Sequence, residues 1–231
     1  MKYIVFLWIG LLFACHTLQA QFNERPILNL ENEDEQLLNW GYFLGFNQYD
    51  FKFDYKENTG DILVQKSFGF NVGLIGELRL NRFLDLRFEP GLFYNQRNLG
   101  FPGFTDKTEA IRNVKSTYIN FPLLLKVSTL RLGNWKPFLI GGASTSINLG
   151  SNMDSLDDNS SGTFRMNKTT YYYEMGFGID FYLEYFKFSP SIRGVFALND
   201  ELIRDADPDS PWTGNVNSMK TRGIFVNFTF E

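Results

Sequence analysis

A two-residue alternation runs through most of this chain. Between 68 and 80, Phe68, Phe70, Val72, Leu74, Leu78 and Leu80 share one parity and Gly69, Asn71, Gly73, Glu77 and Arg79 the other, with only Ile75 and Gly76 blurring the pattern. Leu84, Leu86, Phe88, Leu92 and Tyr94 alternate in the same way with Asp85, Arg87, Glu89 and Gly91. The dyad returns at Tyr171, Tyr173, Met175, Phe177, Ile179 and Phe181 against Glu174, Gly176, Gly178 and Asp180, and at Phe188, Ile192 and Phe196 against Ser189, Ser191 and Arg193. It ends with Ile224, Val226, Phe228 and Phe230 against Gly223, Asn227 and Thr229. Successive side chains of an extended strand point to opposite faces, so these segments are strands with one apolar face and one polar or small face.

Less regular candidates at 40–53, 117–128 and 138–149 raise the count to eight strands, each near the roughly ten residues that a tilted membrane strand needs. Tight turns near Asn81, Gly133 and Glu184 alternate with long polar loops at 54–66, 98–115, 150–168 and 199–219. Short turns at one end, long loops at the other and an even strand count are the pattern of an outer-membrane barrel. Beyond the first twenty residues no stretch approaches 18 apolar residues, so membrane-spanning helices are excluded.

A soluble up-and-down barrel would bury the same apolar parity. Composition separates the two: 25 Phe, 11 Tyr, 4 Trp and 20 Gly stand in a chain whose mean hydropathy is only -0.21. The Gly and Asn fall on the polar parity, which suits the narrow interior of a small barrel, and the bulky set then faces lipid. Trp40, Tyr42, Tyr94, Trp135, Tyr171 and Trp212 lie near strand ends, where amphipathic rings favour membrane interfaces.

The N-terminus agrees. Met1 and Lys2 precede an apolar run over 3–14, and Leu18, Gln19 and Ala20 end in a small residue, the pattern of a secretory signal peptide over 1–20. A second reading takes Leu12-Phe13-Ala14-Cys15 as a lipoprotein signal with Cys15 acylated. With cleavage after Ala20, the single Cys and the single His, His16, leave with the signal. Acyl transfer usually needs an activated nucleophile with a His base, and zinc sites draw on His and Cys, so both chemistries are largely closed. We therefore expect no enzyme, no catalytic residue, no cofactor and no metal. Residues 21–39 form an acidic arm with Glu24, Glu31, Glu33, Asp34 and Glu35 against Arg25, expected in the periplasm, and 40–231 form the barrel.

Glu77, Arg79, Asp85, Arg87, Glu89, Lys126, Glu174, Asp180 and Arg193 fall on the lumen parity. An ion or proton path is one reading of them. The stronger is a network of cross-strand ion pairs that fills the lumen, since an unpaired buried charge is costly. Asp157, Asn159, Ser161 and Gly162 begin a calcium-loop spacing, but its last position is Lys168, and the alternation of Asp205, Asp207 and Asp209 contains Pro208 and no turn glycine. Gly176-Phe177-Gly178 begins a nucleotide-binding fingerprint that Phe181 breaks. With 22 basic against 26 acidic residues and no basic cluster, nucleic acid is not a partner.

Two stretches resemble the PorT family of Bacteroidetes outer-membrane proteins: Trp40-Gly41-Tyr42-Phe43-Leu44-Gly45-Phe46-Asn47, and Tyr118-Ile119-Asn120-Phe121-Pro122-Leu123-Leu124-Leu125-Lys126. The second is shared with a broader group of eight-stranded barrels. The resemblance implies a non-enzymatic part of the type IX secretion system, which supports gliding in some of these bacteria, acting in assembly or partner docking. Its partners would be outer-membrane lipids and other proteins of that machinery. A general outer-membrane barrel serving envelope integrity or adhesion through its loops is the alternative.

Overall fold

The computed structural model describes residues 28–57 and 60–231. The signal segment, Cys15, His16 and the first part of the acidic arm lie outside them. Ten strands follow in order: β1 (Leu38–Tyr55), β2 (Leu63–Lys66), β3 (Phe68–Arg79), β4 (Leu84–Phe88), β5 (Gly91–Gly100), β6 (Ile111–Ser128), β7 (Trp135–Asn148), β8 (Thr169–Tyr182), β9 (Lys187–Ala197) and β10 (Val216–Phe230). Every pairing is antiparallel, and β1 closes the ring against β10, from Tyr42 opposite Phe230 to Tyr55 opposite Val216. β2 and β3 form one stave broken at Ser67, and β4 and β5 another broken at Glu89 and Pro90, so the ten strands make the expected eight-staved up-and-down barrel.

The break in the second stave has a covalent cause. The Glu89 N–H donates to the Pro122 carbonyl at 3.3 Å, but Pro122 has no N–H to return. The Leu74 N–H donates to the Pro90 carbonyl at 3.0 Å, and Pro90 likewise returns nothing. The loss of pairing expected at Pro122 therefore falls on its β4/β5 side, while Ser144 still pairs with it from β7.

Apolar side chains form the outer face. Phe68, Phe70, Val72 and Leu74 are exposed along β3, as are Leu44 and Phe46 on β1 and Ile224 on β10. A continuous apolar surface of that kind on an isolated chain is a membrane-facing one. Trp40 packs over Gly76, where a Cβ would lie 3.0 Å from the indole, so the glycine that blurred the alternation leaves room for an interfacial tryptophan.

Side chains fill the lumen in layers. Ile75, the other irregular residue, points inward and is 1 % exposed. Phe43 lies against Gly73 and Gly91, where a Cβ would come to 2.5 and 2.8 Å of its ring. Phe93, Phe225, Tyr49 and Tyr118 continue the stack, with ring centroids 5.1 to 5.6 Å apart. Asn47, Asn71, Asn95 and Asn227 are joined amide to amide beside it. This aromatic interior departs from the expectation that the polar parity alone supplies lumen residues.

Three further differences concern the loop end. β6 begins at Ile111, β10 at Val216, and β2 lies within 54–66, so the loops expected at 98–115, 199–219 and 54–66 are partly strand. These strands rise past the apolar band and pack a second core of Phe51, Leu99, Phe101, Val114, Phe164, Met166, Leu202, Val216 and Met219. Trp212 is not at a strand end: its ring stacks on Phe104 at 5.1 Å, and its Nε1–H donates to the Glu109 carbonyl at 2.9 Å.

Candidate functional site

The charged residues expected in the lumen are there, and most of them meet. Lys126 Nζ lies 2.8 Å from Asp180 and 3.2 Å from Glu77, and Arg87 Nε lies 3.4 Å from Glu77 and 3.2 Å from Glu89. Arg193 bridges Glu89 at 2.7 Å and Glu174 at 3.4 Å, while Arg79 and Asp85 pair at 3.6 Å. Two members escaped the sequence reading. Lys187 reaches Glu77 at 3.4 Å, and Glu231 pairs with both Arg87 and Lys187. Their parity marks them, since Lys187 continues Ser189 and Arg193, and Glu231 continues Asn227 and Thr229. They stand just outside the regular part of each pattern. Apart from the Arg79–Asp85 pair, four buried cations thus face five buried carboxylates, each ion with a partner of opposite sign, which offsets much of the desolvation cost.

At the short-turn end, residues preceding β1 cross the mouth. Asn29 N–H donates to Asn134 Oδ1 at 3.0 Å and its amide donates to the Tyr182 carbonyl at 3.0 Å, which ties the arm to the β7/β8 wall. β7 stands opposite β1 in the ring, so the arm spans the opening as a strap. Arg131 clamps it. Its guanidinium donates to the carbonyls of Asn29 and Leu30 and to Asp34, and lies 3.8 Å above the centre of the Tyr182 ring. Asp34 gathers Lys136 at 3.4 Å, Arg79 at 3.6 Å and the Tyr182 hydroxyl at 2.9 Å. Partial burial opposes its ionisation, yet Lys136, Tyr182, Arg79 and Arg131 outweigh this and hold the carboxyl below its ordinary range.

At the long-loop end the β9–β10 loop folds into the mouth through Glu201. Its carboxylate accepts the Thr221 N–H at 2.7 Å and the Thr221 hydroxyl at 2.9 Å, and Thr221 accepts from Arg97 at 3.2 Å. Arg97 also donates to the Tyr118 hydroxyl at 2.7 Å and lies 3.8 Å over the Phe51 ring. Complete burial pushes the Glu201 carboxyl up to about 7, against the opposing pull of Arg97 and Thr221.

The two acidic segments weighed for calcium come together in this cap. Asp205 accepts the Asn159 N–H at 3.2 Å and its side-chain amide at 3.0 Å, and it also accepts the Ser210 and Thr213 hydroxyls at 2.5 and 3.0 Å. Asp205 is occupied as a hydrogen-bond hub, and among the described residues no group of three or more His, Cys, Asp or Glu could hold a metal ion. Gly176-Phe177-Gly178 continues as strand β8, with no helix N-terminus to receive a phosphate.

Solved structures to which the chain is similar include neisserial surface protein A, 10% identical with TM-score 0.47, covering 84% of this chain and 98% of that one. OprG of Pseudomonas aeruginosa is 13% identical with TM-score 0.44, covering 84% and 93%. Ail of Yersinia pestis, solved with the heparin analogue sucrose octasulfate, is 11% identical with TM-score 0.39, covering 83% and 96%. No curated protein matches the chain. The model of the outer membrane protein beta-barrel domain matches residues 19–202, so the protein resides in the outer membrane and belongs to that family.

Proposed function

We propose that this protein is a non-enzymatic component of the type IX protein secretion system, acting in assembly of that machinery or as a docking point for a partner. The observation that carries the reading is the filled lumen, with an ion-pair network, an aromatic stack and a core at the loop end in series. A barrel so filled, with a strap across one mouth, is suited to holding something in place and not to conducting cargo. The secretion system itself enters through the resemblance at 40–47 and 118–126, and the strap supplies a fixed periplasmic surface for a partner.

The test compares the culture-medium proteome of a deletion strain with that of its parent, with membrane fractionation of the tagged protein. Loss of secreted cargo from cells with an intact outer membrane is the expected result. Unchanged secretion overturns the reading. It would favour a general envelope or adhesion barrel, a second reading suggested by the ordered outer cap around Asp205 and Trp212.

A further inference from the structure

On the outer face, the apolar band ends at Phe46 of β1 and Ile224 of β10, and beyond Gln48, which stands opposite Ile224, the outward residues are charged. Arg222 and Lys66 both pair with Asp50, at 2.8 and 3.0 Å, and keep about half of their side chains in solvent, 51% and 42%. One step higher, Lys52 and Lys220 stand directly opposite each other in the β1–β10 register. Both point outward, since their neighbours Phe51, Met219 and Thr221 are buried in the lumen. Neither lysine has an ion-pair partner among the described residues, and like charges directly opposite on one sheet face repel. The next outward acid, Asp54, lies farther from the membrane and accepts from Asn217 at 3.1 Å. Four cations around one closely held carboxylate at the edge of the hydrocarbon form an incompletely neutralised site.

Below it the wall is hollowed. Gly141, Met175, Gly194 and Ile224 are successive partners across β7, β8, β9 and β10, so two outward glycines leave a trough on either side of Met175. A hollow of about 260 Å³ under Asp50, Lys66 and Arg222 and another of about 590 Å³ around Gly141 and Met175 share Gly194 in their walls. The row descends from the charged rim towards the middle of the apolar band. A cationic rim above an apolar trough matches an amphiphile with an anionic head and an acyl chain.

We propose that this face binds a phosphorylated lipid of the outer leaflet, its phosphate between Lys52, Lys220 and Arg222 and an acyl chain along Gly194 and Gly141. The proposal needs the outer-membrane placement and is independent of the secretion reading. Binding relieves the Lys52–Lys220 repulsion and fills the trough.

The test is native mass spectrometry of the full protein released from nanodiscs, titrated with bis-phosphorylated lipid A and with the same lipid stripped of its phosphates. Heat-dependent gel mobility checks that each variant is a folded barrel. The wild type should prefer the phosphorylated lipid about tenfold or more. Lys52→Gln with Lys220→Gln, which breaks no ion pair, should remove most of that preference. Gly141→Leu, whose Cβ would have its nearest neighbour at 3.5 Å, should weaken both lipids several-fold. Equal affinity for the two lipids, or a double variant that retains the preference, overturns the proposal. So does displacement of the lipid by millimolar inorganic phosphate with no effect of Gly141→Leu, which would mark a site for the free ion.

Discussion

Arg131 stacks its guanidinium 3.8 Å over the Tyr182 ring while donating to the backbone of Asn29 and Leu30, so one side chain joins the β6–β7 turn, the β8 wall and the arm. Hydrogen bonds from a charged donor contribute roughly 1.5–3 kcal/mol and an exposed cation–π contact about 0.5–1. Arg131→Ala should therefore lower the free energy of opening the arm by about 2 kcal/mol. Hydrogen exchange at Glu33 and Glu35, whose amides are bonded in the closed arm, measures it. Unchanged protection there would show that Asp34 and Asn29 suffice.

Glu77 is contacted by Arg87, Lys126 and Lys187 in the lumen. Removing one member of a buried ionic group leaves its partners uncompensated, at a cost of about 3–5 kcal/mol. Glu77→Ala should destabilise the barrel by that order in urea titrations of protein folded into liposomes, whereas Lys115→Ala on the outer surface should stay within about 0.5. A loss below 1 kcal/mol for Glu77→Ala would mean that water reaches the network.

Glu201 makes the outer mouth pH-sensitive. Its folded value of about 7 stands above the ordinary 4.5, so the anchored loop holds the proton more tightly than the released loop does. Anchoring is full below about 4.5 and is lost as the pH rises through 7, a span of order 3 kcal/mol. Exchange of the Thr221 amide, which donates to Glu201, should quicken over that range in the wild type and lose its pH dependence beyond the intrinsic rate in Glu201→Gln. A wild type that tracks the variant would refute the buried carboxyl.

Asp205 holds Asn159, Ser210 and Thr213 together. Asp205→Ala should expose both loops to protease, lowering their opening free energy by about 2–3 kcal/mol, while the barrel itself unfolds at the same urea concentration. A shift of the whole unfolding transition would instead show that cap and barrel fold as one unit.

The face of almost every strand was legible because the lipid side demands bulk and the lumen side here demands Gly, Asn or charge. That contrast fails where both faces are apolar. Phe43, Phe93 and Phe225 point inward opposite outward Leu44, Leu92 and Ile224, and parity alone reads them correctly only once the barrel is closed. Strand length was underestimated for the same reason: above the membrane, Val114, Val216 and Met219 pack against loop residues, so polar outward neighbours such as Asn113 and Lys115 look like loop. The ionic lumen was readable nearly member by member. The docking of the arm was not, because it depends on Arg131, a turn residue whose partners lie about a hundred positions away.

The strap has a mechanical consequence. Tension applied to the chain ahead of Leu28 meets Asn29 first, and Asn29 is held by Asn134, Tyr182 and Arg131 on the wall opposite β1. The load is delivered across the mouth into β7 and β8 before it can reach the β1–β10 seam, whose parting would open the cylinder. A pull on the arm is thereby taken as shear on the far wall, and the seam is spared from peeling.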